Sequence, residues 1–125
     1  MRRSGSAALN VLSIAAACSL AAVSAHAGSA NGTWLRSNGA HVFAFDCGGG
    51  LGLKVVKSPE AHKVGKTIMC GAKPSGNNTW KGSLLNLDNN QKYSGTVSLS
   101  GNSLSLSGCV LGGIICNSDT WTRLK

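Results

Sequence analysis

The sequence has few acidic and few aromatic residues. Of its 125 residues, 4 are Asp or Glu against 12 Lys or Arg, and aromatic residues make up 5%. General acid–base catalysis needs paired titratable groups in one cleft, and the four acids offer no such pair, so we predict no enzyme. The lysines are not interleaved with aromatic residues, which argues against nucleic acid as a partner. The net charge of +8 favours solubility, or contact with an anionic envelope surface.

Common catalytic and metal-binding motifs are also missing. There is no G-x-S-x-G nucleophile motif, and no C-x-x-C spacing that would indicate a zinc site. The glycine-rich stretch at 48–52 precedes an alternating strand and not a helix, so it lacks the amides that hold a phosphate. We therefore predict no catalytic residue, no metal site and no cofactor.

No apolar run is strong enough for a stable membrane span, and the N-terminal stretch is instead typical of a secretory signal peptide. It has a basic start, a weakly apolar middle and small residues at the end of Ala25-His26-Ala27. We predict cleavage after Ala27, which leaves residues 1–27 as a signal peptide and 28–125 as one periplasmic or secreted domain. An uncleaved amphipathic helix and a lipoprotein cleavage before Cys18 are the alternatives.

Apolar and polar residues alternate with a period of two throughout the predicted domain, and no segment shows a sustained helical period of apolar residues. The clearest example is YSGTVSLS at 93–100, and 41–46, 51–56 and 103–108 follow the same pattern. Turn signals rich in glycine and asparagine separate these runs. The stretch 57–66 breaks the alternation and is predicted to be a loop with at most one helical turn.

Such a pattern predicts an all-β fold, a small antiparallel up-and-down barrel of about eight strands with the signal peptide outside it. Closing the sheet removes the exposed edges that short strands would otherwise leave. A two-sheet sandwich is the alternative. A mostly filled interior is expected, built from Phe43, Phe45, Leu51, Leu53, Val55, Leu85, Leu87, Val97, Leu99, Leu104 and Leu106.

Four cysteines remain after the predicted cleavage, an even number that is typical of disulfides in a small exported domain. In CVLGGIIC, a two-residue turn at Gly112-Gly113 would place Cys109 directly opposite Cys116, within disulfide range. By elimination, Cys47 then pairs with Cys70.

A tryptophan and an arginine stand near both ends of the predicted domain. Closure of a barrel makes the first and last strands neighbours, so Arg123 can cover the indole of Trp34 and gain cation–π energy. Gly32-Thr33-Trp34 resembles the G-x-W signature of lipocalin-like barrels. We assign barrel closure to Gly32, Trp34, Trp121 and Arg123.

The order of several short motifs resembles that of a bacterial secreted family, domain of unknown function 2147. These motifs are GTWLRSNGAHV, FDC, WKGSLLN, KYSG, GCVLGGIIC and TWTR, spread over residues 31–125. The resemblance implies a small exported β-barrel with no assigned catalytic activity. The family usually reads C-x-x-x-L-C, but Gly52 stands at the second cysteine here, while Cys70 stands where a polar residue is more common. The resemblance thus supports a Cys47–Cys70 pair.

Two functions fit these observations. The first is a noncatalytic binding module that holds a small apolar ligand at the barrel mouth, near Trp34, Phe43 and Phe45. The alternative is an envelope-associated interaction or structural protein, which would use its basic surface and the apolar hairpin 110–115 with Leu111 and Ile114 as a docking tip. The oligomeric state is not indicated by the sequence.

Overall fold

The computed structural model describes residues 29–110, 113 and 115–125. Its strands form one closed antiparallel barrel in which each strand pairs with the next and the last pairs with the first. This confirms the predicted eight-stranded up-and-down barrel. The strands are β1 (Gly32–Leu35), β2 (His41–Cys47), β3 (Gly50–Lys57), β4 (Thr67–Pro74), β5 (Thr79–Asn86), β6 (Gln91–Ser100), β7 (Ser103–Val110) and β8 (Ile115–Arg123).

The predicted signal peptide, residues 1–27, lies outside the described residues, so the cleavage site stays a prediction. Between β3 and β4 the chain makes a single 3-10 turn at Ala61–Lys63, within the stretch for which at most one helical turn was predicted. In the part of the chain that the structure describes, no helix has the length and apolar character needed to cross a membrane.

Alternation correctly predicted the inward face of β3, β6 and β7. Leu51, Leu53 and Val55 of β3 are buried, and so are Val97 and Leu99 of β6. Leu104 and Leu106 of β7 join the same core. On β5, Leu84 packs against this core; the prediction had named Leu85, its neighbour in sequence.

The prediction for β2 was wrong, because its two phenylalanines face outward. Val42 and Ala44 are fully buried, whereas Phe43 is 41% exposed and stacks on Phe45 with ring centroids 5.8 Å apart. Residues opposite each other on paired strands share a face, and Val42 lies opposite the fully buried Trp34. The indole inside the barrel therefore fixes the face, and Val42 and Ala44 fill the narrow space beside it.

Three glycines, one on each of β5, β6 and β7, form a row on the inner face. Gly82 pairs with Gly95, and Gly95 pairs with Gly108. A Cβ atom would lie 2.9 Å from the Ala72 Cα at Gly82, and 2.8 Å from the Met69 Cε at Gly95. Because these glycines have no Cβ, Ala72 and Met69 of β4 can pack directly against the backbone of β5 and β6. This close approach allows the sheet to curve more tightly.

Both cysteine pairs lie at disulfide distance. The Cys47 and Cys70 sulfurs are 1.91 Å apart, and those of Cys109 and Cys116 are 2.05 Å apart. Cys109 and Cys116 lie directly opposite each other on β7 and β8, as the hairpin spacing predicted.

The Cys47–Cys70 bridge links β2 to β4 across the outer face of β3. Strands two places apart in a sheet are normally separated by about 9.5 Å, but these two Cα atoms are 5.2 Å apart. Gly52 of β3 allows this approach, because a Cβ atom there would lie 2.6 Å from the Cys47 Cβ. An irregular register between β3 and β4 lies beside the bridge.

Candidate functional site

The seam between β1 and β8 pairs two tryptophan-x-arginine triplets in opposite directions. Trp34 lies opposite Arg123, and the same register places Arg36 beside Trp121. The Arg123 Cζ lies 4.3 Å from the Trp34 ring centroid, and the Arg36 Cζ lies 5.4 Å from that of Trp121. Both indoles are fully buried. Each end of the seam therefore has an arginine over a buried indole.

The end with Arg123, called the closed end here, is sealed by the chain just before β1. The Trp34 Nε1 donates to the Ala30 carbonyl oxygen at 2.8 Å. The two terminal nitrogens of Arg123 donate to the carbonyl oxygens of Asn31 and Ser29, both at 3.1 Å. Gly32 has a φ of +129° and no room for a Cβ beside the Lys125 carbonyl. A depression of about 220 Å³, smaller than the cavity at the other end, lies here.

The opposite end, called the open end here, contains a cavity of about 370 Å³. Val55, Ile68, Leu84 and Leu106 line it with apolar surface. The polar rim comes from the β1–β2 turn, the loop before β4, the β5–β6 turn and the start of β8. Its charged and hydroxyl side chains include Arg36, Ser37, Lys63, Asp88, Tyr93 and Asp119.

Asp119 holds the tryptophan–arginine pair at this rim. Its Oδ2 accepts hydrogen bonds from the Trp121 Nε1 at 2.8 Å and the Arg36 Nε at 3.3 Å, and its Oδ1 accepts one from the Ser37 hydroxyl at 2.7 Å. Burial raises the pKa of the Asp119 carboxyl, but these hydrogen bonds and the charge of Arg36 outweigh it, so the pKa lies below its usual value. Asp119 is therefore a charged anchor at neutral pH.

Lys63 forms the second ion pair of the rim. Its Nζ donates to the Glu60 Oε2 at 2.8 Å and to the Asp88 Oδ1. The hydrogen bond with Asp88 and then the one with Glu60 raise the pKa of Lys63, and the bond with Lys63 lowers the pKa of Asp88. Across the residues described, no cluster of three or more His, Cys, Asp or Glu side chains could hold a metal ion.

The structure separates the residues that were predicted to form a ligand mouth. Phe43 and Phe45 lie on the outer wall, and Trp34 lies under the seal of the closed end, so none of them lines the open-end cavity. The prediction of a mouth beside Trp34 and Phe43 was therefore wrong. The proposed docking tip, Leu111 and Ile114, lies outside the described residues.

Sequence reasoning missed Arg36, Asp119 and the environment of Trp121. A signal was present, because Trp-Leu-Arg at 34–36 and Trp-Thr-Arg at 121–123 repeat the same spacing. In an antiparallel pair, such repeats place each arginine opposite the other strand's tryptophan. The glycine row also had a signal, since Gly82, Gly95 and Gly108 are equally spaced along the chain.

Comparison with protein-family models now identifies the chain. A model described as "Uncharacterized protein conserved in bacteria (DUF2147)" matches residues 32–123. The chain belongs to this family. No curated protein and no solved structure matches it significantly. The closed eight-stranded barrel fits the lipocalin-like description expected of DUF2147, and two disulfides in a bacterial family indicate an extracytoplasmic protein.

Proposed function

We propose that this DUF2147 protein is a noncatalytic binding module, exported to the periplasm or beyond, whose open-end cavity holds a small apolar ligand with one polar end. The observation that carries the proposal is the asymmetry of the barrel. One end is sealed by backbone hydrogen bonds to Arg123, and the other has a cavity of about 370 Å³. Small-molecule sites are commonly apolar hollows of about 300–1,000 Å³ with a few placed polar groups.

The chemistry of the cavity supports a ligand that is largely uncharged. Part of its wall is apolar, from Val55, Ile68, Leu84 and Leu106, and its two rim cations are already paired, Arg36 with Asp119 and Lys63 with Asp88 and Glu60. A charged ligand end would have to compete with these carboxylates or be repelled by them. Among the described residues, the terminal nitrogens of Arg36 donate no hydrogen bond, unlike those of Arg123, so they are free to donate to a hydroxyl or carbonyl oxygen.

The pKa shifts at the rim support a noncatalytic role. A general acid or base works best when its pKa lies near the working pH. The environment moves the pKa of Lys63 upward and those of Asp88 and Asp119 downward. Each shift moves the group away from neutral pH and stabilises its charged form, which suits an ion pair better than proton transfer.

The proposal is tested by measuring 1-octanol binding to the purified, disulfide-bonded protein by tryptophan fluorescence and native mass spectrometry. Octanol is expected to bind with one-to-one stoichiometry, and more tightly than octanoate or octylamine. Leu84→Trp should weaken octanol binding at least about tenfold, because the larger ring fills the hollow that the ligand would occupy.

Ser83→Trp is the matched control, because it adds the same ring at the neighbouring position, which is exposed. It should leave the dissociation constant within about twofold of the unmodified protein, a change well below 1 kcal/mol. Octanol binding that survives Leu84→Trp unchanged, or is absent in the unmodified protein, would contradict the cavity as the ligand site.

A further inference from the structure

All four acidic residues of the chain lie at the ends of the barrel. Glu60, Asp88 and Asp119 belong to the open end, where they pair with Lys63 and Arg36. Asp46 lies opposite the inward-facing Leu51 and lines the depression at the closed end. The outer surface of the barrel between the two rims therefore carries no carboxylate side chain.

Lysines on that outer surface are concentrated on β3, β4 and β5. Lys54, Lys73 and Lys81 are exposed, and within the described residues none of them makes an ion pair or a side-chain hydrogen bond. Lys73 lies directly opposite Lys81, and like charges in this position repel each other. No acid of the chain offsets the repulsion, so an external anion is the species that would relieve it.

Exposed apolar side chains accompany these lysines. Phe43, which lies opposite Lys54, is 41% exposed and stacks on Phe45. Val56, at an irregularity of the β2–β3 register, is 42% exposed. We call the outward face formed by Phe43, Phe45, Lys54, Val56, Lys73 and Lys81 the basic wall.

The other side of the barrel is different in chemistry. Most outward positions of β6, β7 and β8 are hydroxyl residues paired across the strands, and the exceptions are Lys92 near the start of β6 and the disulfide-bonded Cys109 and Cys116. We call this face the hydroxyl wall, and its central members are Thr96, Ser98, Ser105, Ser107, Thr120 and Thr122. Strands of one small barrel thus present two outer faces, of which one alone combines unpaired cations with exposed apolar side chains.

We propose that the basic wall docks on the surface of an anionic lipid bilayer. Lysines near such a surface are attracted by its negative potential, and aromatic or aliphatic side chains gain by entering the interfacial layer. Charge complementarity selects an anionic partner. The protruding Phe43 and Val56 select a lipid surface over a hydrated polyanion, which offers them no apolar environment.

The test is co-flotation of the exported, disulfide-bonded protein with vesicles of phosphatidylcholine and phosphatidylglycerol in a two-to-one ratio. Binding is expected at low salt, should fall as salt is raised, and should be absent from pure phosphatidylcholine. Lys81→Gln should lower the partition coefficient about fivefold. Phe43→Ser should lower it at least about threefold.

Each variant has a matched control. Ser105→Glu changes the net charge by the same amount as Lys81→Gln, but on the hydroxyl wall, and Ile115→Ser removes an apolar side chain that is 50% exposed on β8. Neither control should change vesicle binding by more than about twofold. Thermal unfolding of all four variants checks that they fold alike.

Other outcomes would overturn the proposal. No binding to the anionic vesicles would do so, and so would an equal loss with Ser105→Glu, which would indicate net charge alone. A larger loss with Ile115→Ser than with Phe43→Ser would place the contact on the β7–β8 hairpin. Binding to dextran sulfate that Phe43→Ser leaves intact, without binding to vesicles, would indicate a polymer partner. Octanol binding is measured separately, so the cavity proposal can fail or succeed independently.

Discussion

The two ends of the barrel use the same tryptophan–arginine pair for different purposes. At the closed end, Arg123 covers Trp34 and donates to the backbone carbonyls of Ser29 and Asn31. At the open end, Arg36 covers Trp121 and is held through a single nitrogen by the carboxylate of Asp119. Hydrogen bonds to backbone carbonyls hold residues 29–31 at the closed end and seal it. At the open end the arginine's partner is a side chain of β8, and the cavity beside that side chain stays accessible.

The difference also explains how titration can affect one end more than the other. The acceptors at the closed end are carbonyl oxygens, which do not titrate, whereas the acceptor at the open end is a carboxylate with a lowered pKa. We therefore expect the seal to be insensitive to pH and the rim to loosen in acid.

The largest effect is expected from the indoles. Trp34→Ala should lower the free energy of unfolding by about 3–5 kcal/mol, because it removes a fully buried ring and leaves a cavity. Trp121→Ala should cost less, since its void would lie beside Asp119, which lines the open-end cavity, and the neighbouring side chains there have more room to rearrange. Urea unfolding of the oxidised protein measures both, and a smaller loss for Trp34→Ala than for Trp121→Ala would refute the assignment of the sealed end.

A smaller difference is expected between the arginines. Arg123→Gln should cost about 2 kcal/mol, because two charged hydrogen bonds and a cation–π contact are lost together. Arg36→Gln should cost about 1 kcal/mol, since one hydrogen bond to a partly exposed carboxylate is lost. Equal losses in urea unfolding would show that the open-end arginine is as structural as the closed-end one.

The smallest effect is the pH dependence of the open end. The pKa of Asp119 is lower in the folded protein than its ordinary value of 3.8, so its contribution is fully present above that value and is lost as pH falls through the folded pKa. Asp119→Asn should therefore destabilise the protein by about 1 kcal/mol at neutral pH. The difference from the unmodified protein should shrink as the pH falls from 3.8 through the lower pKa of the folded state.

Urea unfolding at about pH 7 and about pH 3 checks the sign of this dependence. Arg123→Gln is the control, because its carbonyl partners do not titrate and its cost should be similar at both pH values. A cost of Asp119→Asn that grows in acid would contradict the hydrogen-bonding pattern at the rim.

Much of the fold was predictable because alternation is unambiguous wherever one face of a strand is polar. In β6, serine and threonine alternate with Val97 and Leu99, so the inward face follows from the sequence. In β2 both faces are apolar, and the larger phenylalanines suggested the wrong one. The correct face follows only when β2 is paired with Trp34, which is information from a neighbouring strand.

The site was less predictable than the fold. Which end of the barrel opens depends on the segment at 29–31 crossing the closed end, a contact between the start and the end of the described chain. The rim combines residues from three connecting segments and from the start of β8, which are distant in sequence, so no local motif marks it. The repeated W-x-R triplet could have indicated Arg36 and Trp121, but not that a cavity lies beside them.

The most direct test of the open-end site uses the indole N–H signals of the three tryptophans, Trp34, Trp80 and Trp121. In a nitrogen–proton correlation spectrum recorded during an octanol titration, the Trp121 signal should shift progressively and saturate, because its Nε1 is bonded to Asp119 at the cavity rim. The Trp34 signal, held by the Ala30 carbonyl under the seal, should stay in place. A saturable shift of Trp34 or Trp80 with no change at Trp121 would contradict ligand binding at the open end.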